Sequence, residues 1–151
     1  MQELEQIIKT NGPLPLRKKT VLNIAYSSIW MKDEVIAVLK PYDISVEQFN
    51  VLRILRGKND SPTNLQDIQE RMINKMSNTT RLVDKLILKG LVERFVCKKN
   101  RRKVDIFITE QGLKLLNEVS LVVEQTENRI TSGLSIQELE TLNTLLTKLR
   151  T

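Results

Sequence analysis

The sequence of 151 residues contains no histidine, a single cysteine and only five glycines. Without histidine the chain lacks the commonest general base, the Ser-His and Cys-His nucleophile pairs and every histidine-ligated metal site. The glycines do not cluster, so the chain has no loop of the kind that cradles phosphate groups. We therefore expect no enzymatic activity, no bound metal and no cofactor.

Long apolar runs and paired cysteines are also missing. No apolar run approaches the roughly 18 residues that a membrane-spanning helix needs, so we expect no membrane partner. The one cysteine, Cys97, cannot form an internal disulfide, which fits a reducing compartment. The acidic N-terminus lacks the basic start and apolar core of a secretory signal. These features predict a cytoplasmic protein.

The positive charge of the chain is concentrated in one short segment. Lysine and arginine number 24 against 18 acidic residues, a net charge of +6. Residues 94–103, RFVCKKNRRK, hold six cations and no anion, so the rest of the chain is neutral. Apolar stretches that read as strands flank this segment. A cationic hairpin tip on a neutral body is typical of a polyanion-binding protein, and the alternative is a solvated basic loop.

Hydrophobic periodicity predicts a mainly α-helical chain with one small β-hairpin. We predict helices over 17–40, from the Ser45 capping box to Gly57, after a Thr63–Gln66 capping box, from near Asn74 to Gly90, after the cap Thr109, and after the Ser135–Glu138 capping box. The centre, 45–109, then forms a three-helix unit closed by a two-stranded wing. The helical segments 17–40 and 110–151 lie outside it.

The third and fourth predicted helices have the layout of a helix-turn-helix, in which the second helix enters the major groove of DNA. Its polar face carries short hydrogen-bonding residues beside cations, as base and phosphate contacts require. The predicted DNA-contacting residues here are Lys75, Ser77, Asn78, Thr80, Arg81 and Lys85. The alternative is an ordinary solvated helix face, and the basic wing immediately downstream favours DNA.

Two separated motifs identify a family resemblance. Residues 77–86, SNTTRLVDKL, and 89–94, KGLVER, resemble the recognition helix and first wing strand of MarR-type transcriptional regulators. Residues 100–102, NRR, and 108–112, ITEQG, are similar to that family's wing signature, Asp-Arg-Arg followed by Leu-Thr-x-x-Gly. The resemblance implies a winged helix-turn-helix homodimer that binds a palindromic operator in double-stranded DNA. It also implies that the protein acts, as is usual in that family, as a repressor that a small ligand releases from DNA.

The resemblance also implies roles for the wing, where the chain departs from the family pattern. Asn100 replaces the aspartate that usually steadies the wing arginines, and Lys99 stands where a proline is common. Lys99, Arg101 and Arg102 are the expected DNA contacts of the wing. Arg101 is the arginine expected to enter the narrow minor groove of A·T-rich DNA.

The terminal helices carry the residues that we expect to mediate dimerisation and effector binding. Leu139, Leu142, Leu146 and Leu149 repeat at the spacing of a coiled-coil seam, which predicts burial between two copies of the chain rather than within one. Tyr26 and Trp30 lie one helical turn apart. They are candidate effector contacts, with packing in the core or at the dimer interface as the alternative.

Two other functions use the same features. The wing of such a module could contact RNA or mediate protein assembly without operator specificity. Aromatic residues make up only 4% of the chain, which argues against single-stranded RNA because its binding usually needs stacking platforms. A sequence-specific regulator, located on the nucleoid when bound, is the favoured prediction.

Overall fold

The computed structural model of the protein describes residues 3–58, 61–96 and 104–151. Its elements are α1 (Leu4–Ile7), α2 (Leu16–Leu39), a 3-10 turn (Lys40–Tyr42), α3 (Val46–Arg56), α4 (Leu65–Arg71), α5 (Thr79–Leu88), β1 (Val92–Val96), β2 (Val104–Ile108), α6 (Glu110–Thr131) and α7 (Ile136–Leu149). The predicted order of helices and hairpin is confirmed. No helix of the described residues is both long and apolar enough to cross a membrane.

The core lies between α3, α4, α5, the hairpin and the first half of α6. Its fully buried side chains include Leu52, Ile68, Leu86, Ile106 and Leu116, one from each of these elements. Because every element of this region contributes apolar side chains to one cluster, we describe residues 44–123 as the lobe.

Capping residues decide where the helices begin. The predicted capping boxes at Ser45 and Ser135 are confirmed, and Thr109 accepts a hydrogen bond from the Gly112 amide over 3.0 Å. The predicted Thr63 box is wrong, because α4 begins one residue later with Asn64 as its cap and Asp67 as the reciprocal partner.

Thr63 is fully buried and pairs with the wing instead of capping α4. It forms an antiparallel bridge with Ile106, whose amide donates to the Thr63 carbonyl over 2.7 Å. This bridge adds a short third chain segment to the hairpin and connects the wing to the start of α4.

Two glycines meet geometric demands at the base of the wing. Gly90 has a φ of +72°, which ends α5 in the left-handed conformation that glycine adopts without strain. A Cβ on Gly112 would lie 2.2 Å from the Leu91 carbonyl oxygen and 2.8 Å from Ile108 Cγ1. The glycine of the wing signature therefore lets α6 approach the strand backbone.

The helices outside the lobe are poorly covered by the rest of the described chain. Of the 24 residues of α2 only Leu39 is buried, and α7 has no buried residue. Both helices leave large apolar side chains at the surface.

Candidate nucleic-acid interface

Helix α5 presents a polar face opposite its buried face. Thr79, Val83 and Leu86 are buried against the lobe core. Thr80, Arg81 and Lys85, three of the predicted DNA contacts, are exposed on the other side of the helix. The face has the composition needed for base and phosphate contacts.

The start of α5 differs from the prediction. The helix begins at Thr79 rather than near Asn74, because Asn78 is its N-cap and accepts a hydrogen bond from the Arg81 amide over 3.0 Å. Lys75, Ser77 and Asn78 therefore belong to the connecting segment between α4 and α5.

Within that segment the three residues have different surroundings. The Lys75 ammonium donates to the carbonyl oxygen of Glu70 at the end of α4. The Ser77 hydroxyl oxygen is buried and has no hydrogen-bond partner among the described residues. Asn78 is exposed, but its side-chain oxygen is already used in the cap, so the unshared part of its amide group is the nitrogen.

Two residues that the sequence analysis did not identify hold the connecting segment in place. The Gln69 side chain donates to the Lys75 carbonyl over 2.8 Å and accepts from the Thr79 hydroxyl. The Asn50 side chain accepts from the Ile73 amide over 3.0 Å. Neither residue has a sequence signal, because each partner lies on another element.

The wing is a regular antiparallel hairpin whose tip lies outside the described residues. Val92 pairs with Ile108 at its base, and Val96 pairs with Val104 at the end of the described strands. The predicted wing contacts Lys99, Arg101 and Arg102, together with Cys97, all fall in 97–103, which the structure does not describe. Phe95 and Phe107 pack edge to face with ring centroids 5.9 Å apart.

One cation of the basic segment makes an internal ion pair. The Arg94 guanidinium lies 3.3 Å from the Asp84 carboxylate, which links β1 to α5. Both side chains are about half exposed, so the pair orients the wing strand relative to the helix more than it stabilises the fold.

A cleft of about 630 Å³ separates the end of α2 from α5. Ile36, Ile44, Leu82 and Leu88 supply its apolar lining, and Lys40, Lys85 and Lys89 its cations. Lys85 thus borders both the cleft and the exposed face of α5.

The candidate effector contacts lie elsewhere on α2. Tyr26 and Trp30 are exposed by 43% and 41% and do not line the cleft. This exposure excludes the alternative that Tyr26 and Trp30 pack in a core formed by the described residues of one chain. An effector contact and a dimer contact both remain predictions.

The leucine seam of α7 is not packed into the lobe. Leu139 and Leu146 are half-buried, whereas Leu142 and Leu149 are exposed by 43% and 61%. The seam is therefore available to a partner, which is what the prediction of intermolecular burial requires.

An ion pair joins α2 to the lobe. The Lys32 ammonium lies 2.9 Å from the Glu47 carboxylate at the start of α3. This hydrogen bond is the main cause that holds the pKa of Glu47 below its ordinary value.

Comparisons with known proteins agree with this architecture. The model of the MarR family matches residues 44–104, which cover the helix-turn-helix and the first part of the wing. Among solved structures, the chain is similar to a MarR transcription factor from Planctomyces limnophilus, with 29% identity, a TM-score of 0.69, and 90% of this chain and 98% of that chain covered.

Two further similar structures contain DNA. A mutant MarR from E. coli complexed with operator DNA has 25% identity and a TM-score of 0.75, with 98% of this chain and 99% of that chain covered. The MepR–DNA complex from S. aureus has 25% identity and a TM-score of 0.72, with 83% of this chain and 90% of that chain covered.

Proposed function

We propose that the chain is a MarR-type regulator, a sequence-specific DNA-binding repressor that acts as a homodimer, and the match of the MarR family model to residues 44–104 supports this. The observation that carries the proposal is the exposed face of α5, with Arg81 and Lys85, followed in the sequence by a segment, 94–103, that holds the whole net charge of the chain. Two structurally similar relatives are described as complexes with DNA, which supports the same interface here.

The two parts of this interface supply different components of binding. Arg81 on α5 is suited to hydrogen bonds with base edges, and guanine is the base that arginine contacts bidentately. Lys75, Lys85 and the wing cations are suited to phosphates, whose neutralisation releases counterions and makes affinity depend on salt. Ser77, Asn78 and Thr80 adjoin Arg81 and complete the proposed base-reading set.

Homodimerisation would give two such interfaces and a two-fold operator. The uncovered apolar side chains of α2 and α7 support it, because a single copy leaves them in water. A palindromic operator follows from the two-fold symmetry, with half-sites separated by about one helical turn or a multiple of it.

Release by a small molecule would use the cleft between α2 and α5. A ligand there would contact Leu82, Lys85 and Leu88 of the recognition helix, so its binding would compete with the position of α5 that DNA requires. Tyr26 and Trp30 would then act through the dimer region rather than by lining this cleft.

The basic wing provides the sharpest test of DNA binding. Arg101→Ala with Arg102→Ala removes four cations from a dimer, so we expect at least tenfold weaker duplex binding at moderate salt and a flatter salt dependence. Fluorescence anisotropy with a labelled operator, selected from random duplexes, measures both quantities.

The matched control removes the same charge from exposed positions outside the lobe, Lys18→Ala with Lys148→Ala, and should change affinity far less. Equal effects of the two double variants would reduce the wing to a solvated loop. Preferential binding to single-stranded RNA competitor would favour the RNA-binding alternative instead.

A further inference from the structure

The segment that connects α4 to α5 exposes apolar side chains at the edge of the proposed DNA interface. Met76 is 92% exposed and Ile73 is 82% exposed, whereas Met72, four residues before Met76, is 1% exposed. A methionine has no polar atom that gains from such exposure. Its position therefore favours a surface that a partner covers.

The exposure follows from a fixed backbone. The Met76 amide donates to the Asn74 side chain over 3.0 Å, and the Ser77 amide donates to the Asn74 carbonyl over 3.2 Å. Gln69 binds the carbonyl of Lys75 and the hydroxyl of Thr79, one on each side of Met76. The thioether is thus presented outward from a preorganised turn, which lowers the entropic cost of a contact.

The surroundings of Met76 indicate the chemistry of that partner. Met76 precedes the cap of α5, and in a helix-turn-helix the N-terminal end of the recognition helix faces the base edges. The nearest cations in the sequence on either side of Met76 are Lys75 and the exposed Arg81, which suit a polyanion rather than the apolar patch of another protein. The apolar group that the major groove offers is the C5 methyl of thymine.

We propose that Met76 packs on the C5 methyl of a thymine in each operator half-site, and so reads one A·T pair by apolar contact. This inference rests on the proposed DNA-binding function. It adds a specificity-determining residue to a set of base contacts that otherwise consists of hydrogen-bonding side chains. The flexible thioether can follow the methyl group without a rigid requirement on the position of the helix.

The test removes the methyl group alone. Each thymine of the selected operator is replaced in turn by deoxyuridine, symmetrically in both half-sites, which keeps base pairing and hydrogen-bonding groups unchanged. At one position we expect wild-type affinity to fall about fourfold per half-site, the equivalent of burying one methyl-sized group. Met76→Ala should bind the thymine and deoxyuridine operators with the same affinity at that position.

Two control variants separate the contact from general effects. Leu121→Ala changes a side chain that is 62% exposed on α6 and belongs to none of the proposed binding surfaces, so it should keep the full response to deoxyuridine. Met76→Leu retains an apolar side chain and should keep most of the response. Circular dichroism of all variants checks the fold.

The results of the deoxyuridine series distinguish failure of the Met76 contact from failure of the proposed DNA-binding function. If Met76→Ala responds to every deoxyuridine substitution as the wild type does, or if no thymine responds, the inference is wrong. If Arg81→Ala still weakens operator binding in the same series, the DNA-binding function stands without it. Absence of any duplex preference in the wild type would overturn both.

Discussion

The lobe and the terminal helices use their apolar residues in opposite ways. In the lobe, α3 alone buries Phe49, Val51, Leu52 and Leu55 against neighbours from the same chain. Helix α2 is more than twice as long and buries one residue, and α7 buries none although it carries a leucine seam.

The apolar side chains of a helix therefore do not by themselves reveal what covers them. Helix α7 is amphipathic like the helices of the lobe, but only the lobe closes its core with its own elements. The stability of the lobe should therefore be intramolecular, whereas that of the terminal helices should depend on protein concentration, as expected for an obligate dimer.

The largest effect is expected from charges placed in the leucine seam of α7, because they should disrupt the dimer. Leu142→Lys with Leu146→Lys would bury two ammonium groups per subunit in an apolar interface, at a cost of several kcal/mol. Sedimentation should show the wild type at the mass of a dimer and the double variant as monomer or unfolded chain.

The control for this variant uses the opposite face of the same helix. Thr144→Lys with Thr147→Lys adds the same charge at exposed polar positions and should leave the dimer intact. A wild type that sediments as a monomer at micromolar concentration would contradict the prediction, and the two-fold operator with it.

Glycine substitutions test whether the lobe is stabilised by close packing within one chain. Gly112→Ala forces a methyl group into contact with the Leu91 carbonyl and Ile108, so it should destabilise the lobe by about 1–3 kcal/mol or more. Gly133→Ala, between α6 and α7, meets no atom within 4 Å and should be nearly neutral. Urea denaturation at one protein concentration measures the difference. Equal effects would mean that the lobe tolerates separation of α6 from the wing.

The layout of the chain could be predicted because its signals are local. Two capping boxes, the glycine at the end of α5 and the alternation of the hairpin strands each depend on neighbouring residues. The start of α5 could not be predicted from local signals. Met76 falls on the same side of a helical wheel as the buried Thr79, so the periodicity extends the helix too far towards the N-terminus. The competing turn at Asn74 depends on hydrogen bonds from Gln69 in another helix.

The residues of the candidate site could be predicted from the sequence, but the contacts between the elements that carry them could not. The sequence predicts Arg81 and Lys85 on a polar face because helical periodicity places them there. It does not predict the pair between Arg94 and Asp84, which depends on how β1 packs beside α5. The bridge between Thr63 and Ile106 could not be predicted either, since its partners are 43 residues apart in sequence.

Variants at Asn78 separate its structural role from its proposed role in reading bases. Asn78→Ala removes the N-cap of α5 and should cost about 1 kcal/mol of stability. Asn78→Ser keeps a capping oxygen but loses the amide nitrogen, so stability should be retained while binding at one base pair weakens by about 1–3 kcal/mol.

Thermal denaturation and operator binding, measured on both Asn78 variants, check these two effects. If Asn78→Ser binds every operator variant as the wild type does, the residue is a cap alone and Arg81 becomes the main reader of the helix.

The smallest expected effect lies at the junction of the two regions, where Lys32 of α2 pairs with Glu47 of α3. The pair lowers the pKa of Glu47, so its contribution is present at neutral pH and is lost as the pH falls through that lowered pKa. Because Lys32 is half exposed, we expect at most about 0.5 kcal/mol. The free energies of unfolding of wild type and Glu47→Gln, from urea denaturation at fixed protein concentration, should differ by this amount at pH 7 and converge once the pH lies below the lowered pKa of Glu47. Adding Lys32→Met to Glu47→Gln should have little further effect, since the charge partner is already gone. A difference that persists unchanged after Glu47 is protonated would show that this residue stabilises the junction by packing rather than by its charge.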